Sequence, residues 1–253
     1  MDKAIAINQI RTLLKSSGYS LGSWMQIPNT SIAEIIGSAG YDWVAIDLEH
    51  GAISNSQLPD LFRALELGGT LPLVRLAQGD AKNCKLALDA GAGGVIAPMI
   101  ETANQVEDLI NACCWPPSGN RGVGFSRANL FGKNFDSYFD EAQAPLIIAM
   151  IESIKAVENL EDIVKVNGLD AILIGPYDLS ASIGMTGKFE NQEFKDLIVR
   201  IKKTAKTSNI ACGIHVVEPS KDELELRIEE GYRFIPYSID SVFLNHALQR
   251  PLK

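Results

Sequence analysis

Tyr41-Asp42-Trp43-Val44-Ala45-Ile46-Asp47-Leu48-Glu49-His50-Gly51 is an apolar run of strand type that ends in three ionisable side chains and a glycine. A strand buried on both faces gains nothing from Asp47, Glu49 and His50 at its end. A site assembled at the carboxyl ends of strands needs such groups. The pattern recurs downstream. Leu71-Pro72-Leu73-Val74 delivers Arg75, Pro145-Leu146-Ile147-Ile148-Ala149-Met150-Ile151 delivers Glu152, and Ala171-Ile172-Leu173-Ile174 leads through Gly175-Pro176-Tyr177 to Asp178. In a parallel α/β barrel those four ends converge on one mouth.

Between these runs the apolar spacing is helical. Helical segments are predicted over 4–17, 32–36, 58–67, 81–90, 106–114, 154–166, 193–207 and 222–230, with a short terminal helix over 242–248. Strands are predicted over 21–27, 43–47, 71–76, 94–99, 146–151, 171–174, 211–216 and 233–237. Helix-terminating glycines stand at Gly40, Gly91, Gly168 and Gly231. The segment from Trp115 to about Ala144 reads as a long irregular loop of the kind that carries function. Eight alternating strands and helices describe a (β/α)8 barrel. The competing doubly wound sheet would carry a glycine-rich turn after its first strand, and Met25-Gln26-Ile27-Pro28-Asn29 stands there instead.

The chain has 253 residues, and one barrel needs about 250. No Ser/Gly tract, Pro-rich spacer or charge block divides it, so a single barrel domain over 1–253 is predicted. The formal net charge is −8, there is no basic stripe, and aromatic residues make up 7%; a nucleic-acid partner is not expected. No run reaches 18 apolar residues, so no membrane span is expected either. The N-terminus lacks a signal-peptide core, and cytoplasmic residence follows. Cys84, Cys113, Cys114 and Cys212 show no CxxC spacing and read as buried free thiols.

Glu152 and Asp178, at neighbouring strand ends, can hold one hard divalent cation, with water and substrate oxygens completing its shell. Taken alone, Asp178 also reads as a helix N-cap and Glu152 as an acid in a helix first turn. His50, beside Glu49 and near Asp47, suits a general acid/base; the alternative is a hydrogen-bonded structural histidine. Arg75 can stabilise an enolate oxygen or pair with Asp47 or Glu49. Asp89 opposes the dipole of its own helix, which calls for a charge partner across the site or across a subunit interface. His215 reads as structural or peripheral, since nothing charged precedes it. The turn Gly175-Pro176-Tyr177-Asp178 can offer backbone N–H groups to a carboxylate. No lysine stands at the strand ends, which argues against a Schiff base.

Together these residues resemble the HpcH/HpaI aldolase family of class II, pyruvate-dependent aldolases. The segments that carry the likeness are Asp47-Leu48-Glu49-His50, Pro72-Leu73-Val74-Arg75, Leu88-Asp89-Ala90-Gly91, Pro98-Met99, Arg121-Gly122-Val123-Gly124, Glu152 with Ala156-Val157-Glu158-Asn159-Leu160, and Gly175-Pro176-Tyr177-Asp178-Leu179-Ser180-Ala181-Ser182. The likeness spans about residues 18 to 240. It implies a barrel of the phosphoenolpyruvate/pyruvate type with an N-terminal helix, assembled as a trimer or hexamer with C-terminal helices exchanged between neighbours. It implies cleavage of a 4-hydroxy-2-oxoacid to pyruvate and an aldehyde, or the reverse addition. Glu152 and Asp178 would hold Mg²⁺, Mn²⁺ or Co²⁺. His50 would be the acid/base, with Asp47 in the catalytic group and Asp89 raising the basicity of His50. Arg75 would stabilise the transition state, and Gly175, Tyr177 and Met150 would line the substrate. Met150 replaces a usual glutamine, and Tyr177 replaces a small residue. The Met150-Ile151-Glu152 form is also similar to the citrate lyase β-subunit branch, so a thioester C–C lyase is an alternative. A non-catalytic 2-oxoacid-binding barrel is a third.

Overall fold

A computed structural model of the chain describes residues 1–248. A first helix, α1 (Lys3–Lys15), precedes the barrel. Then follow β1 (Ser20–Met25), α2 (Thr30–Gly37), β2 (Trp43–Asp47), α3 (Leu58–Leu67), β3 (Leu71–Arg75), α4 (Ala81–Ala90), β4 (Gly94–Ala97) and α5 (Ala103–Cys113). The second half runs α6 (Phe139–Gln143), β5 (Leu146–Ile151), α7 (Ile154–Glu158), α8 (Leu160–Ile163), β6 (Ala171–Ile174), α9 (Pro176–Ser182), α10 (Gln192–Thr207), β7 (Ala211–Ile214), α11 (Lys221–Glu229), β8 (Phe234–Ile239) and α12 (Asp240–Ala247). All strand pairs are parallel, and β1 through β8 close on themselves in sequence order, which is a (β/α)8 barrel. Among the described residues no helix is long and apolar enough to cross a membrane.

The strands are mostly apolar because both of their faces are covered, with charges at the ends of β2 and β3. Inward positions such as Trp43, Ala45, Leu71, Leu73, Ile148 and Phe234 fill the barrel, while outward neighbours such as Val44, Ile46, Val74 and Ile147 pack under the helices. Trp43 stacks on Phe234 at 4.3 Å, nearly parallel. Gly22 makes room for this layer, since a Cβ there would lie 2.1 Å from the Trp43 ring. Helix α1 lies across the lower end, where Ile7, Ile10 and Leu14 join the interior cluster. Local capping fixes where the helices begin: Asn29, Asp80, Ser153, Asn191 and Ser220 each accept a first-turn N–H, and Thr102 forms a capping box with Gln105. Gly91 ends α4 in the left-handed conformation, φ 107°.

Most predicted ends shift by one to three residues, as at β1, α5, β7 and β8, and three differences have a local cause. The fourth strand ends at Ala97, because Met99 turns the chain with φ 53°. The helix predicted over 154–166 breaks at Asn159, whose φ of −97° and ψ of 8° are not helical. The segment 115–144 is only partly irregular. It holds a 3₁₀ turn over Arg127–Gly132 and then α6, and Trp115, Phe135 and Tyr138 pack there as a small aromatic cluster.

Candidate active site

Strand register brings the first two charges together. Asp47 and Arg75 are partners across β2 and β3 at their carboxyl ends. Arg75 Nε and Nη2 donate to Asp47 Oδ1 and Oδ2 at 2.8 and 2.6 Å. Gln26 Nε2 donates to the same carboxylate at 2.9 Å, and the Glu49 and His50 amides donate at 3.1 Å. Asp47 is fully buried. Burial alone would raise its pKa, and the Arg75 hydrogen bonds and charge outweigh that and hold it below the usual carboxylate range. The Arg75 guanidinium also lies 4.6 Å over the Trp24 ring, and its Nη1 is 3.3 Å from Glu49 Oε2. A planar cation gripped on two sides and stacked on a third has one orientation.

Glu152 follows β5 and is 3% exposed. Its Oε1 accepts the Met99 amide at 2.6 Å, and the positive φ of Met99 aims that amide inward. Burial raises its pKa to about 7; the Met99 bond opposes the rise, Glu49 and Asp178 add to it, and Arg75 opposes it. Gly175 is required beside it, because a Cβ there would stand 2.4 Å from Glu152 Oε2. Asp178 is exposed in the first turn of α9, and among the described residues its carboxylate accepts no hydrogen bond. Glu152 is not in a helix first turn, since Ser153 caps α7 after it; Asp178 is not the cap of α9, which is Gly175, but it does stand as the acid of that helix's first turn.

Glu49 and Asp178 thus add negative charge around Glu152, with Arg75 as the opposing cation. This surplus of hard oxygen donors fits a divalent cation. Among the described residues no group of three or more His, Cys, Asp or Glu forms a ready cage. Glu152 and Asp178 would hold the ion from one side, and water and substrate oxygens would supply the rest.

His50 stands at the rim with its side chain 60% exposed, and its Nε2 is 3.8 Å from Glu49 Oε2. Met150 faces inward in the interior cluster that includes Trp24, so the floor under the carboxylates is apolar. Tyr177 is half exposed and packs edge-on against Phe189 at 5.1 Å. The Gly175 amide donates to Ile151 O at 3.2 Å and is already engaged; the amides of Tyr177 and Asp178 lie in the first turn of α9, where no intrahelical acceptor exists.

Asp89 lies elsewhere in the chain. It is at the C-terminal end of α4, hence at the lower end of the barrel, and accepts from Arg121 Nη1 at 2.9 Å. Within one chain it does not meet His50. Sequence reasoning overlooked Trp24 and Gln26, which act on Arg75 and Asp47 from the end of β1, and the Met99 amide. It also set aside His215, whose ring packs 5.9 Å from Trp24. A strand-end position was the available signal for Trp24, Gln26 and His215.

The sequence model of the HpcH/HpaI aldolase/citrate lyase family matches residues 20–247. The chain is 34% identical to a hydroxypyruvate/pyruvate aldolase of Roseobacter denitrificans over 94% of its own length and 93% of the relative's. It is 36% identical to a 4-hydroxy-2-oxovalerate aldolase of Novosphingobium aromaticivorans, over 93% and 89%. The crystal structure of an HpcH/HpaI aldolase/citrate lyase family protein from Burkholderia cenocepacia superposes with a TM-score of 0.88 at 30% identity, covering 95% of each chain.

Proposed function

Because the chain belongs to the HpcH/HpaI aldolase/citrate lyase family, we propose that it is a class II aldolase that splits a 4-hydroxy-2-oxoacid into pyruvate and an aldehyde, or joins the two. The observation that carries this reading is the buried Glu152 carboxyl, placed with Asp178 and Glu49 beside a rigid Arg75. Glu152 and Asp178 would hold a divalent cation (Mg²⁺, Mn²⁺ or Co²⁺), which when bound would supply Lewis-acid polarisation of the 2-oxoacid carbonyl.

The side chains do the remainder. Asp47 fixes the plane of Arg75, which leaves N–H groups on Nη1 and Nη2 to stabilise the oxygen that gains charge as the C3–C4 bond breaks. His50, exposed at the rim, takes the proton of the C4 hydroxyl on cleavage and returns it on addition. The free amides at Tyr177 and Asp178 receive the substrate carboxylate. An Asp89 acting on His50 would have to come from a second copy of the chain. A trimer or hexamer, cytoplasmic residence and one barrel domain belong to the same proposal.

The test is pyruvate release from a panel of 4-hydroxy-2-oxoacids with Mg²⁺ or Mn²⁺, coupled to lactate dehydrogenase, with and without EDTA. Metal-dependent release, lowered about 100-fold in His50→Ala, is the expected result. No release from any member by a folded, metal-binding protein would move the assignment to a thioester lyase or a binding barrel.

A further inference from the structure

Strand β8 departs from regular pairing beside the end of β1. The β1–β8 register shifts between Gly22 and Trp24, so that Trp24 pairs with Ile239, and Ser238 has φ 55°. Bulges beside active sites commonly re-aim side chains in this way. This bulge supports Arg75 along two routes. The first reaches the face of the guanidinium. Ser238 O meets His215 Nε2 at 3.2 Å, and a carbonyl oxygen only accepts, so Nε2 carries the proton. The ring held in that tautomer packs edge-on against Trp24, on which Arg75 lies.

The second route reaches the edge of the guanidinium and starts at Asp240, which the chemistry above does not use. Asp240 is 3% exposed. Its carboxylate accepts the Gln26 and Ile27 amides at 2.9 Å and the Ser241 amide at 2.8 Å, which fixes the Gln26 backbone on the first turn of α12. The Gln26 side chain is held at both ends as well. Its Nε2 donates to Asp47 Oδ2 at 2.9 Å, and its Oε1 accepts from Ser241 Oγ at 3.3 Å. A carboxylate only accepts, so the amide nitrogen is the end that faces Asp47.

The two oxygens of Asp47 are held unequally. Oδ1 receives Arg75 Nε and also the Glu49 and His50 amides of its own loop. Oδ2 receives Arg75 Nη2 and, among the described residues, only Gln26 Nε2 besides. The torsion of a carboxylate is broad and roughly twofold. Oδ1 therefore acts as a pivot, and the plane of the carboxylate is set by what holds Oδ2. Without Gln26 the paired groups can turn together about Oδ1 and carry the guanidinium with them. We propose that Gln26 is a positioning residue for Arg75: anchored by Asp240 and Ser241, it fixes the plane of the Asp47 carboxylate and through it the plane of the guanidinium. This inference rests on the aldolase reading above, in which Arg75 stabilises charge that develops as the C3–C4 bond breaks.

The test measures kcat and KM for pyruvate release from a 4-hydroxy-2-oxoacid in wild type, Gln26→Met, Gln26→Asn and Arg75→Lys, and in Gln26→Met combined with Arg75→Lys. A group that acts on charge appearing only in the transition state affects kcat and leaves KM alone. Trp24 and Glu49 still restrain Arg75 when Gln26 is lost, so the expected fall in kcat for Gln26→Met is about tenfold, with KM within about twofold. Gln26→Asn, whose amide is one methylene short of Asp47, should lose as much. In the Arg75→Lys background no planar fork remains to be aligned, and Gln26→Met should then cost less than about twofold. A merely structural role would lower the rate equally in both backgrounds, and that result overturns the inference. A raised KM at unchanged kcat makes Gln26 a substrate contact and also overturns it, as do unchanged kinetics in both Gln26 variants. Each of these results leaves the aldolase reading intact. Wild type that releases pyruvate from no member of the panel overturns the aldolase reading and the inference together.

Discussion

The two ends of the barrel handle charge in opposite ways. At the lower end the charges are closed. Arg11 donates to both oxygens of Asp170 and to Pro145 O, and Asp170 also accepts the Ile147 amide. Asp42 accepts from Ser20 Oγ and the Leu21 amide, and Arg233 donates to Ser16 O and Ile210 O. Arg127 joins Glu66 to Ala90 O, and Arg121 joins Asp89 to Tyr138. These clusters tie helix ends to strand starts. At the upper end the Asp47–Arg75 pair is closed in that sense, as is Asp240, whose carboxylate accepts the Gln26, Ile27 and Ser241 amides, but the acids between them are not. Glu152 receives a single amide, Asp178 and His50 face outward, and Glu49 touches Arg75 and His50 loosely. The same residue types stabilise when their hydrogen-bonding capacity is filled and are available for chemistry when it is not.

Substitutions at each end can break that contrast. The largest effect is expected from Glu152→Ala, which should lower metal-dependent pyruvate release by about 1,000-fold while the circular dichroism spectrum stays native. Near-normal turnover would mean that the open carboxylates are incidental. Arg11→Ala should do the reverse. It should remove about 2 kcal/mol of stability and lower Tm by roughly 6 °C, with kcat/KM of the folded protein within about twofold of wild type. A large loss of activity at unchanged Tm would show that the lower end is not merely structural. Gly175→Ala should push the Glu152 carboxylate aside and weaken Mn²⁺ binding by roughly tenfold in calorimetric titration. The smallest effect concerns pH. His215 has a folded pKa of about 4, below the ordinary 6.5, because burial and then Arg75 disfavour its charge more than Ser238 O and Asp47 favour it. Its contribution to stability is therefore present above pH 6.5 and lost as pH falls through 4. His215→Leu should flatten the rise of Tm between pH 4 and 6.5, and an unchanged slope would refute the neutral-ring assignment.

How much of this was legible in the sequence differs between backbone pattern and tertiary closure. The boundaries of β2, β5 and β6 and of α3 and α4 coincide with the predicted ones, because apolar runs and glycine or proline punctuation mark them. Asp47, Arg75, Glu152 and Asp178 were legible for the same reason: each is a charge at the end of such a run. Three features were not. The amide of Met99 reaches Glu152 only because its φ is positive, and nothing in Pro98-Met99-Ile100 signals that. The tautomer of His215 depends on a bulge in β8, a strand distant in sequence. The placement of Asp89 against its helix dipole signals a missing charge partner but not which one. Its partner is Arg121, brought to it by the aromatic packing of the segment after α5, so pairing across the site is not seen within one chain.

The position of α1 sets an order of events. Its apolar side chains occupy the lower end, and the layer of Trp43 and Phe234 fills the interior above them, so reactants enter and leave by the upper mouth alone. A substrate bound with its oxoacid half against buried Glu152 has its aldehyde half outermost. Under the proposed cleavage, products would then depart in the reverse of their depth, aldehyde first and pyruvate last. Steady-state product inhibition should follow an ordered uni-bi scheme, with pyruvate competitive against the hydroxy-oxoacid and the aldehyde noncompetitive.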